Sequence, residues 1–218
     1  MDLKSKMLVF FIVFQSSTTF GSEKEYHYTY SHLDDSRLCI MTVNDVNNRT
    51  QVSFRNELDE LHVSDIDEYG KTIRVVIIDG QGNLKESIVF DYDDYRIQSN
   101  RSNQKSFRLK KNIYVNSGTL FYMLGIMIGE GLDSYKIKLI QPDNRIVDMY
   151  FKRIDAEEIA IGDNPIASIK YEMGLIGLKS IFWPYKYYYW FSADENLLIK
   201  YQGISAEKDL VTLQLTGL

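Results

Sequence analysis

Side chains able to do chemistry are few and scattered in this chain. Three histidines, His27, His32 and His62, stand with a lone Cys39. No His-Glu-x-x-His pair and no second cysteine completes a tetrahedral metal set, so the spacing names no metal and no cofactor. No Gly-x-Ser-x-Gly elbow presents a nucleophilic serine. Cys39 lies between Leu38 and Ile40, an apolar strand setting that suits an inert buried thiol. His27 and His32 lie in or beside a polar strand face, where solvent exposure is the ordinary state. Gly80 and Gly82 follow a strand pattern, but no helix pattern comes after them, so a phosphate cradle lacks its second half. Asp91, Asp93 and Asp94 could hold Ca²⁺ in principle. Tyr92 and Tyr95 interleave them, and no spaced Asp/Asn-Gly loop is present, which favours a solvated strand end. No local pattern selects a glycosidase carboxylate pair. The sequence therefore marks no catalytic residue.

What the sequence does mark is aromatic. In the stretch Ile181–Phe191 every residue except Pro184 and Lys186 is apolar or aromatic, and both tryptophans of the protein, Trp183 and Trp190, fall there. A polar turn, Ser192–Asn196, follows, and then Leu197–Tyr201, so the whole reads as a β-hairpin. Tyr187, Tyr189 and Phe191 project to one face of such a strand, and Tyr188 and Trp190 to the other. Sixteen tyrosines against three prolines point the same way, because aromatic side chains fit a pleated, half-buried surface.

The remaining elements must position that hairpin. Residues 25–32 alternate with period two, placing Tyr26, Tyr28 and Tyr30 on one face. Further short strands are expected at 38–43, 50–54, 72–78, 85–92, 135–140, 146–151, 157–161, 166–173 and 210–215. Asp79-Gly80 between apolar runs is a strong hairpin signal. The acidic stretch 57–68 is too weakly patterned to assign. Leu120–Gly129 is apolar all round and lacks alternation; with Ser117 as cap and Gly129 as stop, it predicts a short helix that must be buried. At about 15 Å it reaches half of what a membrane span needs. The expected fold is mainly β: a curled antiparallel sheet of about a dozen strands, a half-barrel around one short buried helix, in a single domain over 22–218.

Lys4 and Lys6 precede the apolar run Leu8–Phe14, and small residues lead to Gly21-Ser22, the order of a secretory signal peptide over 1–21. Its removal leaves a net charge of −6, from −5 for the whole chain. A mildly acidic protein is a poor partner for nucleic acid. Export without a disulfide partner for Cys39 points to the bacterial periplasm or to secretion, with stability resting on the hydrophobic core. No transmembrane segment is expected after cleavage.

Residues 117–215 carry a resemblance. The helix, the strand pair at 135–151, the strand Ile166-Ala167-Ser168-Ile169-Lys170-Tyr171-Glu172 and the hairpin Tyr189-Trp190-Phe191-Ser192-Ala193-Asp194 follow one another in a familiar order. They resemble an uncharacterised family of secreted bacterial proteins that bear a domain of unknown function, with a Tyr/Ile-Trp-Phe/Leu-Ser-x-Asp hairpin before a final strand. The resemblance covers roughly the C-terminal half. It implies the curled-sheet-plus-helix fold of the periplasmic carriers that shuttle outer-membrane lipoproteins, and it implies no catalytic residues.

Two functions remain open at this point. In the first, a half-barrel shelters an apolar ligand, such as a lipid, an acyl chain or a lipoprotein, lined by Met123, Met127, Tyr187, Tyr188, Tyr189, Trp190 and Phe191. In the second, the core is filled and the protein docks onto an envelope partner through a sheet edge or the aromatic hairpin. The penultimate-strand position expected for the hairpin would lay one aromatic face over the helix in either case. An enzyme is not expected.

Overall fold

The computed structural model describes residues 23–46, 49–67, 71–92, 96–99, 107–108, 113–116, 120–131, 133–140, 146–205 and 207–217. The signal segment 1–21, the Ser117 cap and the Asp93 and Asp94 carboxylates lie outside these residues.

Among the described residues fifteen strands form one sheet, ordered β8-β7-β6-β5-β4-β3-β2-β1-β15-β14-β13-β12-β11-β10-β9. Two antiparallel meanders make it up. The first runs through β1 (Glu23–His32), β2 (Asp35–Val46), β3 (Arg49–Arg55), β4 (Leu61–Ile66), β5 (Thr72–Ile78), β6 (Leu84–Asp91), β7 (Arg96–Ser99) and β8 (Phe107–Arg108). The second runs through β10 (Ser134–Ile140), β11 (Ile146–Ile161), β12 (Asn164–Leu175), β13 (Tyr187–Ser192), β14 (Leu198–Ile204) and β15 (Leu210–Gly217). They join where the last strand pairs with the first, Tyr30 opposite Leu213. β9 (Ile113–Asn116) adds to β10 in parallel, an exception to the antiparallel rule that follows from the α1 helix (Leu120–Gly129) connecting the two strands.

The sheet curls without closing. β8 and β9 are its two edges and share no ladder, yet Val75, Ile77, Ile88 and Phe90 of β5 and β6 pack with Ile140 at the end of β10. A half-barrel of this kind leaves an apolar concave face, and α1 covers it. The helix buries Leu120, Met123, Leu124, Met127 and Ile128, and it carries no charged residue.

The structure differs from the expectations at four places. The acidic stretch 57–68 contains β4, whose alternation is inverted because the buried positions hold the polar His62 and Ser64 while the apolar Leu61 and Val63 take the outer positions. The segments 146–151 and 157–161 are one 16-residue strand, carried past Asp155 by a register shift at Arg153/Asp155. Ile181–Lys186 is not strand: α2 (Lys179–Phe182) and an irregular stretch precede β13, which begins at Tyr187. Finally, β13 is third from the C-terminal end of the chain rather than penultimate.

Candidate functional site

The inner face of the C-terminal meander is an aromatic row set by register. Tyr30 stands opposite Leu213, Leu213 opposite Tyr201, Tyr201 opposite Tyr189 and Tyr189 opposite Tyr171. Phe151 sits behind the row. It stacks on Tyr171 with ring centroids 4.6 Å apart and meets Tyr189 and Phe191 edge-on at 5.8 and 6.3 Å. The helix drops Phe121 into the same cluster, against Phe54, Tyr189 and Tyr201. Buried hydroxyls find partners: Tyr28 donates to the Leu198 carbonyl at 3.2 Å, and Tyr135 donates to the carbonyl of Met127 on the helix. Burial pushes the Tyr28 and Tyr189 phenols well above their ordinary range, so both remain neutral donors.

Of the seven candidate lining residues, Met123, Met127, Tyr189 and Phe191 come together in this core. A void wide enough for a methyl group would leave bare surface on the side chains around it. Leu124, Phe151 and Phe191 expose 0%. Tyr187 is half-buried at the margin, its hydroxyl accepting from Trp183 Nε1 at 2.9 Å.

Trp190 and Tyr188 lie on the opposite, outer face. There Trp190 is directly between Lys170 on β12 and Lys200 on β14. The two ammonium groups stand 4.7 and 5.2 Å from its ring, and Nε1–H donates to Glu157 Oε1 at 2.6 Å. The lysine stems cover the ring while their charged ends stay in water, so Trp190 is only 4% exposed although it faces outward. Next to it, Lys186 donates to Tyr150, and Tyr150 donates to Glu172 at 2.6 Å. Burial alone would raise the Glu172 carboxyl. The Tyr150 hydrogen bond and the neighbouring Lys152 and Lys186 outweigh it and hold the carboxyl below its ordinary value.

Two chemically capable groups were not singled out by spacing. His62 and Glu86 both stand opposite Ile77, on β4 and β6, so the register puts them on the inner face; both are buried. Glu86 lies in the strand expected at 85–92, and alternation with Ile88 and Phe90 carries it onto the buried face, a place that an apolar pattern does not assign to a carboxylate. His62 Nε2 lies 3.5 Å from Glu60 Oε2. Burial depresses its pKa, opposed by Glu60 and assisted by Lys85. The native imidazole therefore resists a proton that the unfolded chain accepts. Its contribution to stability is full above the ordinary histidine pKa and is lost as pH falls through the lower folded value. The urea midpoint should consequently drop more between pH 7.5 and 5.5 in the parent protein than in His62→Gln. Equal drops would show that His62 titrates as it does in the unfolded chain.

His27 pairs with Glu25 at the surface and His32 lies 3.6 Å from Asp209. Cys39 is buried, and burial first, then the Glu57 charge, pushes its thiol up to about 12, so it is a packing residue at neutral pH. Among the described residues no three His, Cys, Asp or Glu side chains are arranged to hold a metal ion. An open recess of about 530 Å³ lies at the β11 register shift, lined by Asp133, Arg153, Ile154, Asp155 and Ala156. No helix among the described residues is long and apolar enough to cross a membrane.

No protein-family model matches the sequence, and no curated protein matches it. The fold is similar to that of a beta-barrel-like protein of domain of unknown function DUF1849 from Brucella abortus, with a TM-score of 0.55 and 11% identity over 89% of this chain and 95% of that one. The hypothetical lipoprotein YmcC from Escherichia coli is a more distant neighbour, with a TM-score of 0.40 and 9% identity over 88% of this chain and 85% of that one. The expected likeness to a bacterial protein bearing a domain of unknown function therefore holds at the level of the fold.

Proposed function

We propose that this chain is a non-catalytic protein of the bacterial cell envelope that acts through its outer surface, with an interior closed to ligands. The signal-like order of residues 1–21 supports the envelope setting. One observation carries the closed interior: Leu124, Phe151 and Phe191, which meet between α1 and the sheet, are 0% exposed. Affinity for an acyl chain requires a cavity on the order of 300–1,000 Å³ with apolar walls. Here the helix itself occupies that volume.

The carrier reading keeps one support. α1 is apolar on every side, and its Phe121, Tyr122 and Ile126 are only partly buried. If the helix swung away, an acyl chain or lipoprotein tail could take its place. Native mass spectrometry of protein purified from its own host separates the two. The unliganded mass alone is expected. A co-purifying lipid or acyl adduct, released by organic extraction, would establish carriage instead.

A further inference from the structure

We propose that one end of the curled sheet is a bilayer-contacting rim, which inserts isolated apolar side chains into the surface of a zwitterionic lipid membrane. This rests on the reading that the protein acts through its outer surface, and it supplies the partner.

The placement follows from topology. In an antiparallel meander successive turns alternate between the two ends of the sheet. The β1–β2, β3–β4, β5–β6, β12–β13 and β14–β15 connections therefore share one end. Leu33 lies in the first of these and Leu58 in the second; Leu84 opens β6, and Leu210 opens β15. Leu178, Ile181 and Phe182 occupy the fourth, around α2. These are seven of the ten exposed large apolar side chains of the described residues, and their exposures run from 55% at Leu210 to 86% at Phe182. The other three, Leu38, Val89 and Ile154, lie within strands rather than at turns. At the opposite end, the described turns Gly162–Asp163 and Ala193–Glu195 carry polar or small residues and none of the ten.

Turn chemistry does not account for these side chains. Leu33 has a φ of 52°, a left-handed conformation that glycine and asparagine adopt with least strain. A leucine there adds backbone strain, and at 75% exposure it recovers nothing by packing. The residue is explained if its side chain is buried by something outside this chain.

Three features favour lipid as that partner. First, the tips come from five separate turns and are divided by polar residues; a protein interface needs a contiguous apolar centre, whereas a bilayer takes up separated tips independently. Second, Trp183 and Tyr185 flank the most exposed tip and meet edge-to-face at 5.0 Å, giving half-apolar rings with polar atoms of the kind that settle at the headgroup level. Third, the rim has no excess of basic charge. Asp35 pairs with Arg37, Asp59 with Arg55 and Glu60 with Lys85, Asp209 lies beside His32, and Asp34, Glu57, Asp79 and Glu207 stand against Lys179, Lys186 and Lys208. The stretch Ile176–Tyr187, which carries the most exposed tip, contains no acid, and a rim without a basic excess gives no electrostatic preference for anionic lipid.

Co-flotation with phosphatidylcholine–phosphatidylethanolamine vesicles tests this. The protein is expected to float with vesicles, to do so equally at low and high salt, and to gain nothing from added anionic lipid. Ile181→Asp with Phe182→Asp should lower the bound fraction at least about tenfold, because charged side chains partition strongly against the bilayer. The melting temperature of that variant should stay unchanged, since both side chains are exposed in the free protein. Absence of flotation by the parent protein overturns the proposal, and the mass-spectrometric result on the closed interior stands apart from it. Flotation that needs anionic lipid, or that survives the double substitution, also overturns it and points to another face. So does a salt-stable dimer in the absence of vesicles that the double substitution dissociates, which would make a second copy the occupant.

Discussion

Trp190→Ala lowers stability by about 3–5 kcal/mol, the cost of removing a large buried ring. For a chain of this size that is a fall of roughly 6–20 °C in melting temperature, measurable by thermal unfolding. The indole is buried on the outer face of β13, where most side chains are wet, so the loss has an unusual composition. Part is apolar area that the stems of Lys170 and Lys200 shield on either side. Part is the attraction of two ammonium groups to the ring, worth about 0.5–1 kcal/mol each at an exposed site. Removal also takes away the Nε1 hydrogen bond to Glu157, but that carboxylate is 43% exposed and water replaces the donor. The lysine stems are flexible and can collapse into the gap, which places the expected value toward the lower end. Trp190→Phe keeps much of the area and should lose about 1 kcal/mol with the hydrogen bond. An unchanged melting temperature for Trp190→Ala would show that the lysines do not pack on the ring.

The same tryptophan shows how far the fold and site were legible. Alternation placed Trp190 and Tyr188 on the face opposite Tyr189 and Phe191, and the structure has them so. Alternation cannot say that an outer face will be covered, because the cover comes from β12 and β14, whose register is a tertiary fact. The α1 helix was legible for a different reason: ten apolar residues without period two leave a buried helix as the consistent solution. The stretch Ile181–Lys186 misleads because aromatic density is a strand signal that does not see the chain reversal needed between β12 and β13. Gly177, at a φ of 77°, and the Ser180 bonds to its carbonyl turn the chain there. That reversal exposes Ile181 and Phe182, so residues that composition assigns to a core become exposed apolar tips, Phe182 the most exposed of those described. Glu86 was overlooked for the converse reason: it alternates with Ile88 and Phe90 onto the inner face, but a charged side chain is not counted toward an apolar stripe. Curvature is a property of the whole sheet.

Gly125→Val should destabilise the protein by about 2–3 kcal/mol, and this prediction bears most directly on the closed interior. A Cβ at position 125 would lie 2.5 Å from the carbonyl oxygen of Asn196 and 3.8 Å from the Phe191 ring. The oxygen cannot give way easily. Asn196 sits at a φ of 55° in the β13–β14 turn, its N–H donating to Ser192 at 3.1 Å, while Ser192 N–H donates to Leu197 at 2.8 Å. The helix must therefore lift, taking Met123, Leu124 and Met127 away from the aromatic row. Helix propensity works against the loss, because glycine is the poorer helix former by a few tenths of a kcal/mol relative to valine. The expected outcome is a melting temperature lower by roughly 4–12 °C. Below the transition, a fluorescent fatty acid should bind the variant no better than the parent if the core closes again around a displaced helix. A melting temperature equal to that of the parent would mean that α1 is not seated against the β13–β14 turn. The helix would then be free to leave, and the half-barrel would have the room that a carrier needs.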